Sequence, residues 1–358
     1  MTSTIPTTMK AVIEDQAASW VTIKDVPVPE PGENEVLIKV EYAAQNPSDW
    51  KLAAYMSVDG MTQGCDYSGT IVKLGSNLKV DLQVGDKIAG TITGGTVKGR
   101  GSYAEYMVAE TDLTFKVPEG TDMAGASTFG VAWGTAAQIF FQSQTHSLTP
   151  LKPVEGSPWY TLYSGATSVG LFAIQIAKLL GYKVLTFASP HSFELVKSYG
   201  ADEVINYKDA DAVEQALKIT NGGTELGFDT ISEGGSFKIA LGALGPKGKV
   251  LNVINPIPEE AKAIRPEIPL FHTIFYTTLG KELNFSPRTP DQPTIIPLIP
   301  ENAAFGKEYH ARTSELIAKH RIRANPVDLR QGLEAISQGL KDQMEGKVSG
   351  KKIVYKIA

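Results

Sequence analysis

Up to about residue 120, apolar and polar positions alternate between turn signals, as in Val36-Leu37-Ile38-Lys39-Val40-Glu41-Tyr42 and Gly69-Thr70-Ile71-Val72-Lys73-Leu74-Gly75. A period of two puts successive side chains on opposite faces of a strand, so this part predicts a β-rich domain. From about Pro158 apolar runs alternate with helical spacing: strand Trp159 to Tyr163, a helix from Val169, strand Val184 to Ala188, helix Phe193 to Tyr199 and strand Glu203 to Tyr207. Further strands are expected at Phe228 to Ile231 and Lys249 to Ile254. Such alternation implies an α/β fold built on a doubly wound parallel sheet. Near the end, a helical stretch at Lys307 to Lys319 precedes Asn325-Pro326-Val327, a second helix around Leu329 to Leu340 and a strand Lys352 to Lys356 that should return to the first domain. Gln142 to Pro158, rich in Ser, Thr and Pro, and Phe285 to Asn302, with five prolines, read as irregular. The expected division is a β-rich domain over 1–157, an α/β domain over 158–305 and a returning segment over 306–358.

The segment Tyr163-Ser164-Gly165-Ala166-Thr167-Ser168-Val169-Gly170 joins the first strand of the α/β part to its first helix. Small residues there let the backbone turn sharply and approach a pyrophosphate, toward which the helix N-terminal amides point. Plain strand-turn-helix corners carry similar sequences. What favours a dinucleotide is the next strand, Val184 to Ala188, and its end, Ser189-Pro190-His191-Ser192. An NAD-selective site places Asp or Glu about 20 residues after the glycine turn to bind the ribose hydroxyls. Here two serines and a histidine offer donors to a 2′-phosphate, which favours NADPH over NADH. The same four residues also read as a helix N-cap followed by proline, a use compatible with phosphate binding.

With 358 residues and a formal net charge of −5, the chain is long enough for two domains and has an ordinary globular composition. The basic groups Lys319-His320-Arg321-Ile322-Arg323 and Lys351-Lys352 read as solvated surface, with contact to a phosphopantetheine arm or an acidic carrier protein as the minor alternative. The lack of a larger basic block argues against nucleic acid or an anionic membrane as partner. Cys65 is the single cysteine, which rules out an intrachain disulfide and a thiolate-rich metal cluster and fits a reducing cytosol. No apolar run is long enough to span a bilayer.

Several segments agree in order and spacing with the medium-chain dehydrogenase/reductases: Asn46-Pro47-Ser48-Asp49, Gly64-Cys65-Asp66-Tyr67-Ser68-Gly69, Val84-Gly85-Asp86-Lys87, Gly101 to Tyr106, the glycine turn and Gly200 to Tyr207. The resemblance implies a GroES-like β-barrel followed by a Rossmann domain. Zinc-dependent members place a cysteine near the Asn46 position and Gly-His-Glu where this chain has Gly64-Cys65-Asp66, so the donor set for a catalytic zinc is missing and no metal is expected. Within the zinc-free branches the chain resembles the trans-acting enoyl reductases of fungal polyketide biosynthesis. Ser189-Pro190-His191-Ser192, Ile254-Asn255-Pro256, Thr278-Leu279-Gly280 and Val348-Ser349-Gly350-Lys351-Lys352 carry that closer likeness.

Position by position, the resemblance implies NADPH contacts from Ser48, Asp49, Trp50 and Lys51, from Ala166, Thr167, Ser168 and Val169, and from Ser189, Pro190, His191 and Ser192. Tyr207, Ile254, Asn255, Val348 and Ser349 complete that set. A substrate channel is implied along Trp133, Gly134, Thr135, Ala136, Ala137, Gln138, Ile139 and Phe140 and along Glu282, Leu283, Asn284, Phe285 and Ser286, although core packing also accounts for the first run. Lys51 is the first candidate for charge stabilisation or proton supply, and Tyr55 competes for the proton, with solvent as a third source. The activity implied is NADPH-dependent reduction of an enoyl thioester presented by a polyketide synthase or its acyl-carrier protein, by a cytoplasmic monomer. A quinone or small-enone reductase of the same fold and a cofactor-binding partner without catalysis are the alternatives.

Overall fold

The computed structural model describes residues 5–56, 59–284 and 295–358, and these form two compact units. One runs to Val131 and resumes at Tyr276; the other is Ala132–Phe275.

In the first unit, β1 (Thr8–Asp15) and β2 (Trp20–Pro27) form an antiparallel hairpin. The larger sheet is built from β3 (Glu35–Ala44), β4 (Asp66–Leu74), β5 (Lys87–Thr91), β6 (Tyr106–Glu110) and β7 (Thr114–Lys116). Val36, Ile38, Val40, Tyr67, Ile71, Ile88 and Met107 share one apolar cluster with Ile336 and Tyr355, while Leu37, Ala89 and Val108 are buried as well, so much of this sheet is covered on both faces. The turn before β5 needs its glycine, since Gly85 sits at φ +97° while the Asp86 carboxylate takes the Gln83 amide at 2.9 Å.

The second unit holds β8 (Trp159–Tyr163), β9 (Lys183–Ala188), β10 (Glu203–Asn206), β11 (Leu226–Asp229), β12 (Val250–Val253) and β13 (Leu270–His272). All pair in parallel, in the order β10-β9-β8-β11-β12-β13. That is the Rossmann order, and it reverses between β8 and β11. The uniformly apolar run of β8 is what a strand covered on both faces requires: Tyr160, Thr161 and Leu162 are fully buried.

The unit border at Val131/Ala132 lies well before the 157/158 position expected from composition, and the second border falls at Phe275/Tyr276 and not at 305/306. The cause of the first difference is aromatic packing: Trp133 meets Phe172 edge-on at 5.6 Å and Phe140 meets Tyr160 at 4.9 Å, which ties this stretch to the parallel-sheet core. Residues 144–158 carry no helix or strand.

In the first unit the chain closes with β14 (Leu283–Asn284), β15 (Ile295–Ile296), β16 (Val327–Gln331) and β17 (Lys352–Lys356). Strand β17 pairs antiparallel with β3. Two expectations are corrected. The helix placed at Leu329 to Leu340 begins as a strand, because residues 327–331 pair in parallel with β17; the helix itself is Ile336–Met344. The stretch Phe285 to Asn302 is not wholly irregular, since Ile295–Ile296 pairs with β14 and a helix starts at Pro300, where the missing N–H costs nothing.

Candidate active site

The glycine turn follows β8 and opens the helix Ser168–Leu179. Gly165 is squeezed against the next strand: a Cβ there would collide with Thr186 Oγ1. At Gly170 a Cβ would fall 2.5 Å from the Ser164 carbonyl oxygen. Both glycines are therefore dictated by close backbone approach. Thr167 caps the helix, its hydroxyl accepting the Gly170 amide at 2.9 Å. The first helical turn leaves backbone amides without intrahelical acceptors, and residues 166–169 are only half buried, so an anion can reach them. These features fit the pyrophosphate of a dinucleotide.

The loop after β11 completes this cradle. Thr230 Oγ1 lies 2.9 Å from Thr167 Oγ1 and bonds the carbonyls of Tyr163 at 3.0 Å and Ser164 at 2.9 Å, tying the two loops together where the strand order reverses. Asp229, fully buried at the end of β11, accepts the amides of Ile231 and Ser232 at 2.9 Å each and the Ser236 hydroxyl at 2.5 Å. Burial pushes its carboxyl above the usual range while those hydrogen bonds pull it back. Ser232 Oγ in turn accepts the Ile254 amide at 3.0 Å, and Asn255 Nδ2 donates to the Ile231 carbonyl at 2.7 Å. The candidates Ile254 and Asn255 are thus bonded to the loop after β11, through Ser232 and the Ile231 carbonyl; Thr186, Asp229, Thr230 and Ser232 were not singled out as site residues in the sequence.

At the tip of β9, residues 190–192 form a 3-10 turn leading into the helix Phe193–Ser198, with Pro190 at its first position. Ser189 occupies the capping position, yet its hydroxyl makes no capping bond. Ser192 is buried, His191 exposed and Ser189 half buried. Tyr207 follows β10; its ring meets Tyr163 edge-on at 6.4 Å, and the Lys208 ammonium lies 5.7 Å from its centroid.

In the other unit, Ser48, Asp49, Trp50 and Lys51 fall on the short helix Pro47–Lys51. Asn46 caps it, donating its amide to Asp49 Oδ2 at 2.8 Å, and Tyr103 donates its phenol to the same oxygen at 2.7 Å. Burial raises Asp49 to about 6, and these bonds oppose the rise. Ser48 Oγ lies 2.6 Å from the Tyr276 hydroxyl, which donates to Cys65 Sγ at 3.4 Å. The Lys51 ammonium stands 5.8 Å from the Trp50 ring, and Tyr55, 60 % exposed, meets Trp50 edge-on at 6.0 Å. Val348 packs on the core of this unit and Ser349 is exposed.

Of the substrate candidates, Trp133, Gly134, Thr135, Ala136, Ala137, Gln138, Ile139 and Phe140 are all buried on the helix Val131–Ala137 and its continuation Gln138–Ser143. Glu282 and Asn284 are exposed and Leu283 is buried, whereas Phe285 and Ser286 lie outside the described residues. Among the described residues no group of three His, Cys, Asp or Glu could hold a metal ion. The positions aligned with zinc ligands hold Asn46, Cys65 and Asp66, and burial pushes the Cys65 thiol well up, against the thiolate form that binds zinc. Zinc does not fit this donor set. No helix among the described residues is long and apolar enough to cross a membrane.

Residues 32–119 match the alcohol dehydrogenase GroES-like domain and residues 168–279 the domain described as zinc-binding dehydrogenase. The trans-enoyl reductase ACTTS2 of Alternaria alternata is 34 % identical over 96 % of this chain and 97 % of its own length. Among solved structures, the enoyl reductase CurK superposes with a TM-score of 0.77 at 18 % identity, covering 99 % of this chain and 100 % of its own. Mycobacterial Rv1454c, solved with NADPH, gives 0.73 at 21 % identity, covering 97 % and 99 %. Spanning nearly the whole of its relative with the two expected domains in order, the chain belongs to the trans-enoyl reductases, oxidoreductases of the medium-chain dehydrogenase/reductase family.

Proposed function

We propose that the protein is an NADPH-dependent, trans-acting enoyl reductase that reduces the α,β-double bond of a carrier-bound polyketide enoyl thioester. The observation that carries this reading is the glycine cradle, where Gly165 and Gly170 permit no Cβ and Thr167 and Thr230 brace the turn. Kinship over nearly full length to a named trans-enoyl reductase supports the reaction class.

Ala166 to Val169 hold the pyrophosphate, and Ser189, His191, Ser192 and Tyr207 receive the 2′-phosphate, which no carboxylate at the tip of β9 repels. Held by these residues, the reduced cofactor would supply the hydride for the β-carbon of the acyl chain. Negative charge then gathers on the thioester oxygen, and Lys51 is assigned to stabilise it. Tyr55 or water delivers the proton to the α-carbon, Tyr55 holding its phenol in contact with solvent. The acyl chain is assigned to Trp133 to Phe140 and Glu282 to Asn284, and the polyketide synthase or its carrier protein presents it to a cytoplasmic monomer.

The test mixes purified protein and NADPH with a panel of enoyl-pantetheine thioesters and quinones, following cofactor oxidation. Thioesters are expected to give ~10-fold or greater kcat/KM than any quinone. Faster quinone turnover would reassign the chain as a quinone reductase, and NADPH binding without turnover of any acceptor would make it a non-catalytic partner.

A further inference from the structure

The basic pair near the C-terminus divides on folding. Lys351 is exposed, but Lys352, read from sequence as solvated surface, begins β17 and is 3 % exposed. A buried amine requires partners, and it has two: it donates to Asn46 Oδ1 at 2.6 Å and forms an ion pair with Asp66 Oδ2 at 3.2 Å. Both partners are as buried as the lysine.

Each partner holds something beyond the lysine. An ammonium only donates, so it fixes the Asn46 amide with its oxygen turned inward. Asn46 is the N-cap of the helix Pro47–Lys51, which carries Ser48 and Lys51. Asp66 directs its other oxygen, Oδ1, to the Val131 amide at 2.8 Å, at the start of the helix Val131–Ala137. That oxygen lies so near Gly130 that no Cβ fits there. One cation therefore braces the starts of two functional segments.

We propose that Lys352 is an internal cation that acts as the positioning residue for the cofactor helix Pro47–Lys51 through Asn46 and for the start of Val131–Ala137 through Asp66. It touches neither substrate nor cofactor. At 3 % exposed, the ammonium is closed off from solvent and from any substrate carbonyl, so its contribution is geometry.

The experiment compares Lys352→Met, Lys352→Arg and the double variant Asp66→Asn/Lys352→Met with the wild type by thermal unfolding without cofactor and by fluorescence titration with NADPH. Removing the amine alone leaves a buried carboxylate unpaired, and the unfolding temperature should fall by roughly 5–10 °C. Neutralising both partners should restore most of that loss. NADPH affinity of the double variant should nevertheless stay ~10-fold weaker than wild type, because Asn46 has lost the donor that orients it. Lys352→Arg, which keeps donors but not their reach, should fall between. Unchanged melting and affinity in Lys352→Met, or a double variant that recovers both, would overturn the proposal. The cofactor arm rests on the NADPH reading, but the melting arm does not: a wild type that fails to bind NADPH would refute that reading while the melting comparison still judged Lys352.

Discussion

The hydroxyl of Thr186 accepts the Gly165 amide at 2.9 Å and donates to the Leu162 carbonyl at 2.8 Å, so one side chain of β9 pins the start of the glycine turn to the end of β8. Replacing it with valine keeps the shape and removes both bonds, leaving the Gly165 amide only a 3.3 Å contact with the Phe187 carbonyl. Thr186→Val should cost about 1–2 kcal/mol in chemical unfolding and weaken NADPH binding several-fold. Gly165→Ala, which drives a Cβ into the same hydroxyl, should weaken it by ~10-fold or more. Wild-type affinity in both variants would mean the turn does not carry the cofactor.

The proposed preference for NADPH rests on what is missing at the tip of β9. Ser189 is half buried at the position after the strand, and no acid occupies residues 189–192. A carboxylate there would repel a 2′-phosphate and accept hydrogen bonds from a 2′-hydroxyl. Ser189→Asp should lower the ratio of kcat/KM for NADPH over NADH by ~10-fold or more, mostly through KM for NADPH. An unaltered ratio would move the phosphate site elsewhere.

Much of this site was legible in the chain. The spacing of Gly165 and Gly170 announced a close approach, and the run Trp159 to Tyr163 is the strand that the structure shows. What escaped reading depends on which strands become neighbours. Thr230 matters because β11 lies beside β8, a fact of sheet order that no local pattern encodes. Leu329 stands in a strand because β17 is alongside, although its surroundings have helical spacing. Lys352 was hidden by its neighbour Lys351; what separates them is that Lys352 begins β17, whose next residues Ile353-Val354-Tyr355 are all buried, while Lys351 lies before the strand.

The 2.6 Å contact between Ser48 and Tyr276 gives the helix Pro47–Lys51 a second support besides Asn46. Tyr276→Phe deletes that bond and the one to Cys65 while preserving the ring. If Ser48 contacts NADPH, the loss should appear as a KM for NADPH raised by ~3- to 10-fold with a smaller change in kcat, since an interaction made equally in ground and transition states is removed. A fall in kcat at unchanged KM would instead give Tyr276 or Ser48 a part in the chemistry.

Two buried groups in the same unit should tilt stability in opposite directions as pH changes. Asp49 is raised from 3.8 to about 6, chiefly by burial. Its native form holds a proton that the unfolded chain releases, so its contribution is full below pH 4 and falls as pH rises through 6, by about 3 kcal/mol in total. His310 is lowered from 6.5 to about 4, again chiefly by burial. In the neutral ring that burial favours, Nδ1 donates to the Gly306 carbonyl at 2.7 Å and Nε2 accepts from the Tyr309 hydroxyl at 3.0 Å. Its contribution is full above pH 6.5 and falls by a similar amount as pH drops through 4. In the wild type the two slopes oppose each other between about pH 4 and 6.5. Asp49→Asn should leave the histidine slope exposed, so the urea midpoint rises with pH across that window, whereas His310→Gln should leave the aspartate slope, so the midpoint falls. Urea titrations of both variants at pH 4.5 and 7 read the sign directly, and variants that keep the wild-type profile would show that neither group titrates as its burial demands.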